Sequence, residues 1–177
     1  IEVMDKYDLL PTHNYQYGMH PETPKIASRV FIEKYITQNV PDGCWYSNLR
    51  ILLSKEQWDF IRKDAKERAE GKCMICGAKG TRLEAHEVWG YDEKKSIQKL
   101  LDVIAVCPAC HAAIHIGRTQ LKGDAEKAED HYMKVNGVSY AEMRADMGKA
   151  NERHKILNRV SEWKLDLTWL ERFINED

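Results

Sequence analysis

Apolar residues recur at helical spacing along several stretches of the chain and at strand-like density in two others, which predicts a mixed architecture. Ile26, Val30, Phe31 and Ile36 fall on one face of a segment opened by Pro24, and Pro41-Asp-Gly43 breaks it, so a helix is predicted to about Gln38. Ser54-Lys-Glu-Gln57 has the form of a capping box ahead of Trp58, Ile61 and Ala65, predicting a second helix from Lys55 to Ala69 that ends by Gly71. Arg82 to Trp89 and Asp102 to Val106, rich in Val, Leu and Ile, read as strands, with a helical turn over Ser96 to Leu101 between them. Pro108 suits a first helical turn and predicts a short helix to about Gly117. Past Gly123, one helix is expected from Asp124 to Lys134 and another behind Ser139-x-x-Glu142. The aromatic, amphipathic run Trp163 to Leu170 is expected to dock back on the body, with a protein-binding segment as the alternative. Residues 1–23 carry Pro11, Gly18 and Pro21 without a period, so an irregular arm is expected, its tyrosines packing rather than stacking on bases.

The predicted fold is therefore α+β and mostly helical, organised as an arm and helix (1–53), a compact module (54–122) and a helical segment (123–177). The length of 177 residues, 43% of them hydrophobic, suits one domain, and no run is long enough to span a membrane. Nothing at the start resembles a secretory signal, so a reducing cytoplasm, bacterial or phage-infected, is expected. The chain opens on Ile1, so residues upstream are expected.

Cysteine spacing narrows the chemistry. Cys73-Met-Ile-Cys76 and Cys107-Pro-Ala-Cys110 are two C-x-x-C pairs, each able to form a knuckle with both sulfurs turned toward one ion, and together they make the four-thiolate set of a structural Zn²⁺. Disulfides are disfavoured because a two-residue spacer closes a poor loop. Cys44, between Gly43 and Trp45, is the odd cysteine and reads as a small buried hydrophobe. A second set interleaves with the first. His111 and His115 stand four apart, on one helical face, and His86 comes from the strand upstream, so three imidazoles can surround an open metal site. So short a module has little apolar core, and metal ligation supplies folding free energy that packing cannot.

Leu83-Glu-Ala-His-Glu-Val-Trp89 followed by Val103-Ile-Ala-Val-Cys-Pro-Ala-Cys-His-Ala-Ala-Ile-His115 resembles the HNH endonuclease family, of the subgroup with a zinc-knuckle clamp, over about residues 72–118. The resemblance implies a ββα-metal finger that holds one divalent ion (Mg²⁺, Mn²⁺ or Zn²⁺) and hydrolyses phosphodiester bonds in DNA, most plainly double-stranded, leaving a 5′ phosphate. Residue by residue it implies that His86, His111 and His115 are the ligands. Glu87 stands where the family has a general-base histidine, and Asp102 where it often has the asparagine that orients the base. Glutamate can take a proton from water when its environment raises its pKa, but strand alternation turns Glu87 away from the face of His86 unless the strand ends there. A second register makes His86 the base and Glu84 a ligand; in a third role Glu87 steadies an imidazole. A zinc-built nucleic-acid-binding or scaffold module without catalysis uses the same residues and stays open.

Net charge is −1, which excludes a generic nucleic-acid coat and leaves room for a local patch. The metal module is the basic part: residues 66–122 hold ten Lys or Arg against seven acids, whereas residues 124–177 hold nine against twelve. Candidate phosphate contacts are Arg82, Lys94, Lys95, Lys99, Arg118 and Lys122, with Lys94-Lys95 preferred.

Overall fold

The computed structural model describes residues 40–173, so the expected arm and the helix over Pro24 to Gln38 lie outside the described residues. Among the described residues, six α-helices, two short 3₁₀ segments and three strands make an α+β fold in which helical residues outnumber strand residues. The helices are α1 (Leu49–Leu52), α2 (Lys55–Arg68), α3 (Pro108–Ile114), α4 (Ile116–Leu121), α5 (Ala125–Asn136) and α6 (Tyr140–Leu157); the strands are β1 (Glu84–Asp92), β2 (Ile97–Val106) and β3 (Lys164–Asp166). No described helix is long and apolar enough to cross a membrane.

Local chemistry sets the helix starts. Ser54 accepts from the Gln57 N–H while the Gln57 side chain accepts from the Ser54 N–H, and Ser139 and Glu142 repeat the device at α6. Gly137 ends α5 in the left-handed region, at φ 64°. The helix over Pro108 to Gly117 is divided instead of continuous: at His115 the backbone leaves helical values (φ −100°, ψ 43°), closing α3 and opening α4. The Thr119 hydroxyl bridges the break by donating to the carbonyls of Ala112 and His115.

The expected helical turn at Ser96 to Leu101 is strand. β1 and β2 form a long antiparallel hairpin joined only by residues 93–96, paired from Glu84↔Val106 to Asp92↔Ile97. Ile97, Leu100 and Val103 are buried and hold their places in the sheet, and the helical spacing of this segment came from a bulge. Leu101 is the extra residue, since Val88 pairs with Asp102 and Trp89 with Leu100. That bulge re-phases the strand so that both halves keep an apolar set turned inward.

β3 adds in parallel to the far edge of β2, and the following 3₁₀ turn buries Leu167, Trp169 and Leu170, so the C-terminal run docks on the body as expected. One apolar cluster runs from Leu49 through Trp58, Val103 and Tyr132 to Leu170. Cys44 is buried as well, at 2% exposure, and burial pushes its thiol up to about 12, the behaviour of an inert hydrophobe.

Candidate metal centres

The first knuckle is a tight turn. Gly77 donates to the Cys73 carbonyl and Cys73 to that of Ala78, while Gly77 itself sits at φ 75°, where a side chain would be strained. The second begins α3, with Cys107 as N-cap accepting from the Cys110 N–H through sulfur at 3.4 Å. The Met74 N–H donates to the Ala105 carbonyl and the Cys107 N–H to Cys73 Sγ at 3.2 Å, which locks the two knuckles together. All four sulfurs of Cys73, Cys76, Cys107 and Cys110 lie within 4.8 Å of one another. Cys76 and Cys107 are 3.7 Å apart, matching the sulfur separation of about 3.8 Å that follows from Zn–S bonds of ~2.3 Å at a tetrahedral ion and far from an S–S bond. Without a cation the cluster shares protons unevenly: the hydrogen bond from Cys110 lowers the Cys73 thiol and raises that of Cys110. The arrangement can hold a metal such as zinc.

The three histidines form a second cluster immediately beside the first. Ring centroids are 5.6 Å apart for His86–His111, 5.2 Å for His86–His115 and 5.0 Å for His111–His115, nearly an equilateral triangle, with one nitrogen of each within 4.8 Å of the others. His86 is 8% exposed, and its Nε2 is buried with no protein partner. Burial, with the neighbouring imidazoles of His115 and His111, holds its pKa well below the usual value, which keeps the ring neutral and its nitrogen lone pair free. A buried ring nitrogen without a hydrogen-bond partner, in a ring facing two other imidazoles, is costly unless something engages it, and a divalent ion fits the donor set.

Comparison of the chain with protein-family models, curated proteins and solved structures yields no match. The reading of the site therefore rests on its geometry.

Glu84 shares the face of His86, two residues away on β1, and its Oε2 lies 2.5 Å from His111 Nδ1. This contact fixes the His111 tautomer and leaves Nε2 for an ion. The sequence offered Glu84 as a ligand in the second register; the structure instead sets it against a ligand ring. Arg82 Nη2 approaches the other Glu84 oxygen at 3.5 Å while remaining largely exposed, so a guanidinium stands at the edge of the site.

Glu87 is turned to the opposite face. Regular pairing of His86 with Ile104 and Glu87 with Val103 places the two side chains on different sides of the hairpin. The Glu87 carboxylate accepts the Leu49 N–H at the start of α1 and is hydrogen-bonded by the Trp89 side chain. Burial raises its pKa, and those two donors and Arg50 oppose the rise. The structure thus does not bring Glu87 to the histidines. Nor does it assemble Asp102 with Glu87: Asp102 pairs with Val88, on the face of His86, accepts its own Val103 N–H at 2.7 Å and meets Arg68 at 3.5 Å. Burial raises the Asp102 pKa against the pull of Arg68.

The basic residues divide. Lys94 and Lys95 are exposed at the hairpin tip, past the end of β1 at Asp92, six residues or about 20 Å of strand beyond His86. Lys99 is mostly buried, 3.8 Å from the Asp166 carboxylate, and is committed to that buried acid. Lys122 is exposed just past α4; the Arg118 side chain lies outside the described residues.

Proposed function

We propose that this chain is a metal-dependent endonuclease of the HNH type, acting on double-stranded DNA, with zinc on the four cysteines and a second divalent ion on His86, His111 and His115. The observation that carries the proposal is the convergence of three imidazoles, one of them buried, neutral and unpartnered, on a strand-and-helix frame whose helix starts at the cysteine cluster. Such an ion supplies charge stabilisation at a phosphodiester and makes water acidic enough to act as nucleophile near neutral pH. Glu84 orients His111, and the buried seat of His86 fixes its ring. Arg82 is placed to bind a phosphate oxygen adjacent to the site, and Lys94 and Lys95 to contact the backbone several base pairs away. Glu87 caps α1 in this reading and takes no proton from water.

One observation favours a second reading, a zinc-built DNA-binding module without catalysis: the carboxylate at the base position is committed to Leu49 and Trp89. Supercoiled plasmid incubated with Mg²⁺ or Mn²⁺ separates the two. Metal-dependent nicking that disappears in His86→Ala, with two ions per wild-type chain, supports the nuclease. One ion per chain and no nicking with either metal, alongside retained DNA binding, establishes the binding module.

A further inference from the structure

Helix α5 reaches the cysteine cluster from outside both knuckles. His131, on α5, is partly buried, and its Nε2 lies 3.1 Å from Cys110 Sγ. Cys110 is 1% exposed and lies in the first turn of the helix that bears His111 at the very next position. Four thiolates around one zinc carry a net negative charge, and each N–H aimed at a sulfur offsets part of it. Within the knuckles the backbone supplies such donors from Cys107 to Cys73 and from Cys110 to Cys107. Cys110 Sγ has the imidazole beside it.

We propose that His131 is a positioning residue of the zinc centre: its Nε2–H donates to the Cys110 thiolate, slowing zinc loss and fastening the C-terminal helices to the metal module. The inference rests on the cysteines holding zinc and is independent of the histidine centre. The adjacent placement of Cys110 and His111 gives the contact a further consequence, since whatever fixes Cys110 also fixes the first turn of the helix that carries His111 and is closed by His115.

The test uses the full chain loaded with zinc. H131L keeps side-chain bulk and removes the donor, whereas H131Q places an amide N–H close to the former Nε2. With excess chromogenic chelator, H131L is expected to release zinc about tenfold faster than wild type, the lower end of the effect of removing an outer-shell partner. H131Q is expected to stay within about twofold of wild type. Equal rates for all three proteins, or equal acceleration in both variants, overturn the proposal. Substitution with Co²⁺ adds a signature that packing alone does not move. H131L should retain the tetrahedral four-thiolate spectrum, and nitrogen ligation in wild type that vanishes in H131L would make His131 a ligand and overturn the outer role. If H131L does not fold, cadmium-113 in wild type decides. Scalar coupling between the ion and the His131 Hε2 proton supports the hydrogen bond, and an Nδ1–H tautomer refutes it. Absence of zinc on the cysteines removes the premise; absence of plasmid nicking leaves it standing.

Discussion

Replacement of Glu87 separates an architectural role from a catalytic one, because Gln and Ala remove different things. The Glu87 carboxylate accepts the N–H of Leu49, a fully buried residue in the first turn of a four-residue helix, and the Trp89 side chain hydrogen-bonds it from the same face. Glu87→Ala leaves the Leu49 N–H partly buried without an acceptor, so a loss of about 1–3 kcal/mol is expected. Glu87→Gln keeps an amide oxygen for Leu49. It also removes a carboxylate whose pKa is raised chiefly by burial. The sign follows: a group with a folded pKa above its unfolded value favours the fold below the unfolded value, and that contribution is lost as pH rises through the folded one. At neutral pH the ionised form is therefore a burden, and Glu87→Gln should unfold within about 0.5 kcal/mol of wild type or slightly later. Urea unfolding at pH 7 measures both differences, and plasmid nicking on the same samples completes the experiment. In Glu87→Gln, nicking should persist at wild-type level. A folded, two-ion Glu87→Gln protein without nicking would refute the assignment and return the general-base role to this residue, while unchanged stability in Glu87→Ala would refute the cap.

Other substitutions address other links. His86→Ala should abolish nicking and lower metal content from two ions to one, with the far-ultraviolet spectrum unchanged by circular dichroism, because the cysteine cluster is intact. Glu84→Gln should weaken divalent-ion affinity about tenfold by titration calorimetry, since the His111 ring loses its carboxyl partner at Nδ1. Stripping metal from the cysteines with a strong chelator should melt the module cooperatively, because both knuckles and the N-cap of α3 meet at the cluster that would hold the ion. The hairpin tip is tied to α6 by Arg153, which meets Glu93 at 2.6 and 2.8 Å and the Tyr91 carbonyl at 3.1 Å. Its hydrogen bond from Arg153 lowers the Glu93 pKa, so the pair's stabilisation is present above the ordinary value of 4.5 and fades as pH falls through the folded one. With both side chains about one-third exposed, the loss should stay under ~1 kcal/mol, detectable as faster amide exchange at residues 91–95 in Glu93→Gln.

The clustering of the four cysteines and of the three histidines, and the helix starts, were legible in the sequence because they depend largely on local spacing. C-x-x-C, the four-residue step from His111 to His115, and the Ser-x-x-Gln and Ser-x-x-Glu boxes each state a geometry within one turn. The second half of the hairpin was not. Ile97, Leu100 and Leu101 carry a helical spacing only because a bulge places one residue out of step, and pairing with β1 across the sheet, a non-local term, decides the outcome. The same limit hid the partners of the charged residues. Strand alternation separates Glu87 from His86, yet which N–H waits on the other side is known only once α1 packs there, 38 positions earlier. Lys99 reads as a free cation until β3 brings Asp166 against it. The Glu84–His111 contact had a signal, the two-residue step from His86, and needed only the identity of the facing helix to give it a role.

The two centres are interleaved for a mechanical reason. A three-imidazole site made from one strand and one short helix requires the helix to hold its rotation and height against the strand to within a fraction of an ångström. α3 is seven residues long and breaks at His115, too short to be stable alone. Its first turn is instead pinned by sulfur: Cys107 caps it, Cys110 lies in it, and Cys73 reaches it from the preceding turn. Hydrogen bonds from Thr119 pin the other end across the break. With both ends held and Ala113, Ile114 and Ile116 buried in the apolar cluster, the positions of His111 and His115 relative to His86 are set by the cysteine knuckles and the core together. A metal held by the cysteines would therefore belong to the geometry of the histidine cluster, and its loss should be felt there as a loss of ion affinity before the helices of the C-terminal segment unfold.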